Sequence, residues 1–221
     1  MKKLESSLKN MLLVLTGITV ISVGLLAYVN ELTKAPIARA NVKALNNALR
    51  SVMPEFTNNP VSERDTIFGE KDGKKIVDFI LYPAKNDDQL VGTAVESVSL
   101  GFSGELKVLV GFDAEGNIYD YSLLSHSETP GLGSKVSNWF KEGNKGNIKG
   151  LNPGTKSLIL SKDGGDIDAI TASTITSRAF LSAINKAYAA YRGDTDGITS
   201  ATTTQKVESA TPDGTTPANQ K

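Results

Sequence analysis

Four strand-like segments follow one another in this chain: IVDFILY (76–82), LVGTAVESVSL (90–100), ELKVLVGF (105–112) and NIYDYSLL (117–124). They are rich in β-branched and aromatic residues, which favour strands. Turn signals divide them, among them Asn-Asp-Asp at 86–88 and Asp-Ala-Glu-Gly at 113–116. Because such short connections join neighbouring antiparallel strands, the stretch predicts an antiparallel meander.

The segments after the meander predict helices and a further strand. A loop, ETPGLG at 128–133, precedes a short helix around 134–141, and SLIL at 157–160 is a predicted strand. A long helix follows, reaching about Arg192 and ended by Gly193. Its apolar side chains recur at helical spacing, as expected for a helix that packs on a sheet. The chain is therefore predicted to have an α+β fold with an antiparallel-rich sheet and packed helices.

The N-terminal region predicts a membrane anchor. Residues 11–29 carry no charge, and about 20 such residues span a hydrocarbon core. A cleaved signal peptide is the alternative, but its apolar region is normally about 7–15 residues long. Residues 1–10 contain three lysines, so the positive-inside rule predicts a cytoplasmic N-terminus and an external body. Within the juxtamembrane segment 30–53, a helix is expected from Lys34 to Val52 with Pro36 in its first turn, and this helix either stands alone or continues the anchor.

The composition limits the classes of function. The chain has 221 residues and a formal net charge of zero, and nothing in it predicts nucleic-acid binding. It has no cysteine, which excludes disulfides, thiolate catalysis and iron–sulfur ligation, and His126 is the only histidine. Any redox or metal chemistry must therefore come from a bound organic cofactor or from carboxylates. We expect one globular domain over 54–193 and a disordered tail rich in Thr, Ser, Gly and Pro over 194–221.

A hydroxyl-rich cluster, DAITASTITSRA at 168–179, stands where the long helix is predicted to begin. A Ser or Thr at this point can cap the helix by accepting one of its first backbone N–H groups. The same N–H groups and the helix dipole also favour a bound phosphate. Capping requires one or two hydroxyls, and the cluster has five: Thr171, Ser173, Thr174, Thr176 and Ser177. Both interpretations stay open on these residues alone.

The pattern D-x-x-T-A-S-T-x-T-S at 168–177 resembles the flavinylation motif of the FMN-binding domain family, D-x-x-[S/T]-G-A-T-x-[S/T]. Asp168, Thr171 and Thr174 align residue for residue, whereas Ala172-Ser173 replaces Gly-Ala. Further motifs fall in the order seen in the G subunit of Rnf electron-transport complexes: Phe102-Ser103-Gly104, His126, 128–133 and Lys162-Asp163-Gly164-Gly165-Asp166. This resemblance covers roughly residues 35–191, and the C subunit of the sodium-pumping NADH:quinone reductase shares much of it.

The resemblance implies a site for FMN. In the family, a flavin transferase esterifies the threonine that follows the Gly-Ala pair to the FMN phosphate. The corresponding residue here is Thr174, and Thr176 is the second candidate. The loop 128–133 is expected to contact the flavin; the alternative is that it is an ordinary turn. Lys162 either places a positive charge near the flavin or is a solvated turn residue. The implied cofactor-binding residues are Thr174, Thr176, Thr171, Ser173, Asp168, Glu128, Thr129, Gly131, Leu132, Gly133 and Lys162.

The implied function is electron relay within an Rnf-type complex that couples ferredoxin oxidation and NAD⁺ reduction to ion movement. The implied partners are the other subunits of that complex, a flavin transferase and the inner membrane, with the FMN domain on the outer side. One alternative is a membrane-anchored FMN-binding subunit of a sodium-pumping quinone reductase or of an extracellular flavin-dependent reductase. Another is a non-redox envelope-binding module whose hydroxyl cluster is only a helix cap.

Overall fold

A computed structural model describes residues 8–71, 74–194 and 203–206 of the chain. The chain divides into two compact units, Met1–Leu45 and Asn46–Lys221. The helices and strands are α1 Leu8–Val52, β1 Asp65–Lys71, β2 Lys74–Asn86, β3 Gln89–Leu100, β4 Glu105–Asp113, β5 Ile118–His126, α2 Val136–Trp139, α3 Thr174–Arg192 and β6 Thr203–Lys206. Short 3₁₀ turns occur at Gly133–Lys135 and Ser161–Asp163.

Helix α1 joins the predicted anchor and the predicted juxtamembrane helix in one uninterrupted helix. Pro36 was expected in a first helical turn, but it lies inside α1. The most apolar 18-residue window of α1 has a mean hydropathy of 2.3, and none of it is buried. Within the described part of the chain, α1 alone is long and apolar enough to cross a membrane.

The sheet contains the four predicted strands as an antiparallel meander, in the order β5-β4-β3-β2-β1-β6. Asp87 and Asp88 close the β2–β3 hairpin with positive φ angles of 48° and 63°, which a tight primed turn requires. The predicted strand at 157–160 is wrong, because Leu160 makes only an isolated parallel bridge to Ile167. Together with helices α2 and α3, the sheet confirms the α+β class.

Helix α3 covers one face of the sheet and forms the main core with it. Alternate residues of β4 point to this face, as the two-residue period of a strand requires. They pack with the apolar face of α3, and both sets belong to one buried cluster. Tyr121 links β5 to helix α2, since its hydroxyl donates to the Val136 carbonyl at 2.6 Å. Burial raises the pKa of Tyr121, so this hydroxyl keeps its proton.

The end of α1 lies on the opposite face of the sheet. Leu49, Val52 and Met53 are buried, and so is Leu109, which alternates with the core residues of β4. Gly111 lies directly against the Val52 carbonyl, leaving no room for a side chain. Helix α3 therefore covers one face of the sheet, and the end of α1 lies against the other face at Gly111.

The predicted tail, 194–221, lies outside the described residues except for Asp194 and Thr203–Lys206. The composition of the tail predicted that Thr203–Lys206 belong to a disordered segment. In the structure they form β6, which pairs antiparallel with β1 through partners such as Asp65 and Lys206.

Candidate functional site

A cavity of about 440 Å³ lies where the β3–β4 turn, the loop after β5 and the first turn of α3 meet. Small-molecule sites typically have volumes of about 300–1,000 Å³. The residues that line the cavity are Phe102, Glu128, Thr129, Leu132, Gly133, Ala172, Ser173, Thr174, Ile175 and Thr176. The structure thus brings most of the predicted site residues together. Four of the predicted residues are not part of this lining: Asp168, Gly131, Lys162 and Thr171.

The first turn of α3 has no side-chain cap. Ser173 is the N-cap residue, and its side chain makes no capping hydrogen bond. The first backbone N–H groups of a helix have no partners within the helix, and the positive end of the helix dipole lies there. Ser173 therefore does not act as the predicted cap, and the N–H groups of this turn remain suited to an anion.

The two threonines considered for attachment have different surroundings. Thr174 is half-buried on the cavity wall, and its Oγ1 accepts a hydrogen bond from the Lys162 Nζ at 3.3 Å. Thr176 is buried, and its hydroxyl donates to the Glu128 Oε2 at 2.8 Å. The hydroxyl of Thr174 is thus beside a cation at the cavity, whereas that of Thr176 is held in a buried contact between α3 and the loop.

Two other residues of the cluster, Ser177 and Asp168, support the cavity from outside it. The buried Ser177 hydroxyl donates to the Ser173 carbonyl and accepts the Ile170 N–H, both at 3.0 Å. The carbonyl of Asp168 accepts the indole N–H of Trp139 at 2.8 Å, and its carboxylate accepts the Ser161 hydroxyl at 3.1 Å. Thr171 is exposed in the turn before α3. These contacts fix the path of the chain into the helix.

Glu128 joins two walls of the cavity. Its side chain is buried, with 6% of the residue exposed. Its Oε1 accepts the backbone N–H groups of Phe102 at 2.8 Å and Ser103 at 3.2 Å. Its Oε2 accepts the Thr176 hydroxyl. One carboxylate therefore connects the β3–β4 turn to the first turn of α3.

The loop 128–133 folds so that its residues serve different purposes. The Thr129 carbonyl accepts the N–H groups of Leu132 and Ser134, each at 3.2 Å, which closes the loop into a tight turn. Gly131 has a φ of 78° and lies outside the cavity lining. A side chain at Gly133 would collide with the Glu128 carboxylate. Gly131 thus permits the turn, and Gly133 leaves space for the buried glutamate.

Charged side chains stand beside the first turn of α3. Lys162 lies in the 3₁₀ turn Ser161–Asp163 and contacts Thr174. The Arg178 guanidinium, one turn further along α3, donates two hydrogen bonds of 2.7 Å to the Asp163 carboxylate. These hydrogen bonds lower the pKa of Asp163 below its ordinary value of 3.8. Arg178 is thus engaged with Asp163, and Lys162 is the cation that contacts a cavity hydroxyl.

Three residues of the cavity were not predicted from the sequence: Phe102, Ala172 and Ile175. Phe102 is 69% exposed and Ile175 52% exposed, which is unusual for large apolar residues in an ordered domain. With Leu132, which is 43% exposed, they form an apolar rim suited to a flat ring. A signal for Phe102 was present, because it begins a motif that carried the family resemblance.

Comparison with known proteins agrees with this geometry. Residues 101–189, which include every residue of the cavity lining, match the model of the FMN-binding domain. Three curated relatives are named as the G subunit of an ion-translocating oxidoreductase complex. The relative from Vibrio cholerae serotype O1 is 32% identical over 181 residues, covering 79% of this chain and 86% of the relative.

The other two relatives agree over similar lengths. The protein from Erwinia tasmaniensis is 32% identical over 177 residues, covering 75% of this chain and 81% of the relative. The protein from Shewanella piezotolerans is 33% identical over 190 residues, covering 83% of this chain and 88% of the relative. Identity at this level over most of the chain confirms the predicted family. The chain belongs to the family of G subunits of ion-translocating oxidoreductase complexes, and its cavity lies within an FMN-binding domain.

Proposed function

We propose that this chain carries FMN, bound covalently through a phosphoester to the Thr174 hydroxyl, and relays electrons within an ion-translocating oxidoreductase complex. The observation that carries the proposal is the arrangement of Thr174: an accessible hydroxyl on a cavity wall, at an uncapped helix start, beside Lys162. The relatives' names and the FMN-binding domain match support the cofactor and the kind of complex.

The residues of the cavity fit FMN. The N–H groups at the start of α3 and the Lys162 ammonium suit a phosphate that retains negative charge. The exposed apolar rim of Phe102, Leu132 and Ile175 suits the flat flavin ring. When bound, FMN supplies the electron-transfer chemistry, and the protein supplies attachment, orientation and electrostatics.

The hydrogen bonds of the two hydroxyl groups make Thr174 a better attachment point than Thr176. Thr176 is 1% exposed, and its hydroxyl already donates to a buried carboxylate. Using it would break that hydrogen bond and leave Glu128 with an unfilled acceptor, which costs about 1–3 kcal/mol for a buried polar group. Thr174 incurs no such cost, because its hydrogen-bond partner is the exposed Lys162.

The membrane arrangement is also part of this proposal. Helix α1 anchors the chain, the N-terminal lysines remain in the cytoplasm, and the FMN-binding domain lies on the outer side of the inner membrane. A flavin transferase matures the protein there, and the other subunits of the complex exchange electrons with it. Labelling an engineered cysteine in the cavity-bearing domain with a membrane-impermeant reagent in intact cells tests this sidedness.

Flavin fluorescence on a denaturing gel tests the attachment. The chain is co-expressed with a flavin transferase as wild type, Thr174→Val, Thr174→Ser and Thr176→Val. We expect fluorescence in the wild type and in Thr176→Val, none in Thr174→Val, and at least partial recovery in Thr174→Ser. Thr171→Val, an exposed threonine of the same motif, is the control for general effects.

Other patterns in this experiment contradict the proposal. Fluorescence that persists in Thr174→Val and disappears in Thr176→Val would move the attachment by two residues. A colourless wild-type protein in the presence of an active transferase would favour the envelope-binding alternative. A flavinylated protein that purifies with a quinone reductase, or without any other component of an ion-translocating complex, would change the assigned complex and leave the attachment intact.

A further inference from the structure

We propose that Glu128 is a positioning residue whose buried negative charge also holds down the reduction potential of the flavin in this cavity. The inference rests on the proposed function, since it concerns the FMN assigned above. Glu128 is the one buried carboxylate of the cavity lining, and it lies in a cavity assigned to an electron carrier.

The contacts of Glu128 fix both walls of the cavity. Its two oxygens accept three hydrogen bonds, two from the backbone of the turn that carries Phe102 and one from Thr176 on α3. All three partners donate, so both oxygens of Glu128 act as acceptors, as those of a carboxylate do. The site is also shaped for this group, because a side chain at either Gly101 or Gly133 would collide with the carboxylate.

Burial makes this negative charge more effective than the exposed charges around it. Each electron that the flavin accepts from another redox centre adds one negative charge to it, unless a proton from water follows the electron. A nearby carboxylate repels that added charge, so it disfavours the reduced flavin. The opposing cation, Lys162, is exposed to solvent, where water and salt screen its effect. Solvent and salt therefore reduce the effect of the buried carboxylate less than that of Lys162.

The test compares two variants that affect the same hydrogen bond in different ways. Glu128→Gln removes the charge, while its amide oxygen can still accept from the turn and its NH₂ group can donate to the Thr176 oxygen. Thr176→Val removes the hydrogen bond and retains the charge. The measurement is the midpoint potential of the flavin in the full chain, obtained by spectroscopic redox titration, together with the melting temperature of each variant.

We expect Glu128→Gln to raise the midpoint potential with little change in its dependence on salt concentration, because the exposed charges that salt screens are retained. We expect Thr176→Val to lower the melting temperature without raising the potential. An unchanged or lower potential in Glu128→Gln overturns the inference. An equal rise in both variants also overturns it, because the cause would then be a displaced cavity wall and not the charge.

A second arm separates this inference from the proposed function. In a Thr174→Val background, FMN is titrated as a reversible ligand in its oxidised and reduced forms, with and without Glu128→Gln. The dissociation constant for reduced FMN should fall relative to that for oxidised FMN when the charge is removed. This holds even if no covalent flavin forms, in which case only the attachment proposal fails. If Glu128→Gln leaves the ratio of the dissociation constants for oxidised and reduced FMN unchanged, the role of Glu128 is refuted.

Discussion

Ala172 has a backbone conformation that is unfavourable for a residue with a Cβ atom. Its φ is 60°, at the position where the family motif that the chain resembles has glycine. The left-handed conformation costs a non-glycine residue about 1–2 kcal/mol, whereas glycine adds about 0.4–1 kcal/mol of unfolded-state entropy cost. We therefore expect Ala172→Gly to raise the free energy of unfolding by about 0.5–1 kcal/mol, measured by urea denaturation.

A matched control distinguishes relief of strain from a general effect of glycine. Ala189 lies in the helical interior of α3 and is half-buried, so Ala189→Gly should lower the free energy of unfolding by about 1 kcal/mol. Opposite signs for the two variants support the backbone explanation. A loss of stability in both would mean that the turn tolerates alanine without strain.

The hydroxyl cluster shows how far residue types alone can define the site. The spacing of the motif identified the threonines, but it did not separate the exposed hydroxyl of Thr174 from the buried one of Thr176. That separation depends on Glu128, which lies 48 residues away from Thr176 and meets it only in the folded chain. Phe102 was not assigned to the site although its motif was noticed, because only the folded chain brings the β3–β4 turn to Glu128, whose Oε1 accepts the Phe102 N–H.

The contact between β4 and the end of α1 depends on Gly111. A Cβ atom there would overlap the backbone carbonyl of Val52, and a backbone atom cannot rotate away. We expect Gly111→Ala to lower the free energy of unfolding by about 1–3 kcal/mol, the usual cost of overpacking. Thermal and urea unfolding of the full chain in detergent would measure this loss.

The same substitution in another strand is the control. Gly69 on β1 is also buried, but its closest neighbour would be the end of the flexible Asp78 side chain. Gly69→Ala should therefore change the free energy of unfolding by less than about 1 kcal/mol, since the carboxylate can move aside. Equal losses at both positions would contradict the proposed role of the α1 contact.

Secondary structure was predictable where the pattern was long and regular. The segments of β2 to β5 are rich in strand-forming residues and divided by clear turns, and all four formed strands. β1 was missed because its sequence, DTIFGEK, has only two apolar residues, Ile67 and Phe68, among charged residues and a glycine. The segment SLIL has strand-forming residues but only an isolated bridge at Leu160, since local composition does not supply a pairing partner.

The apolar span and the globular domain were both predictable, but the burial of the last turns of α1 within the second unit was not. Apolar length alone identified the anchor, because about 20 uncharged residues are enough to span a bilayer. The sequence pattern predicted a juxtamembrane helix within 30–53 that either stands alone or continues the anchor, and in the structure it continues the anchor as part of α1. The second compact unit begins at Asn46, because the last turns of α1 are buried with the sheet. Periodicity shows that these turns are helical, whereas their burial depends on a distant strand.

This shared helix predicts how the chain tolerates truncation. A chain that starts at Asn46 retains Leu49, Val52 and Met53, whereas one that starts at Pro54 loses all three. Burial of each such side chain contributes about 1.5–3 kcal/mol, so the shorter chain should lose at least about 4 kcal/mol. Domains are stable by only about 5–15 kcal/mol, so this loss would remove a large part of the stability and lower the urea midpoint of the shorter chain. Urea unfolding followed by the fluorescence of Trp139, the single tryptophan, measures the difference, with a chain that starts at Lys34 as the control. Equal free energies of unfolding for the chains that start at Asn46 and at Pro54 would show that the end of α1 only lies against the sheet and does not complete its core.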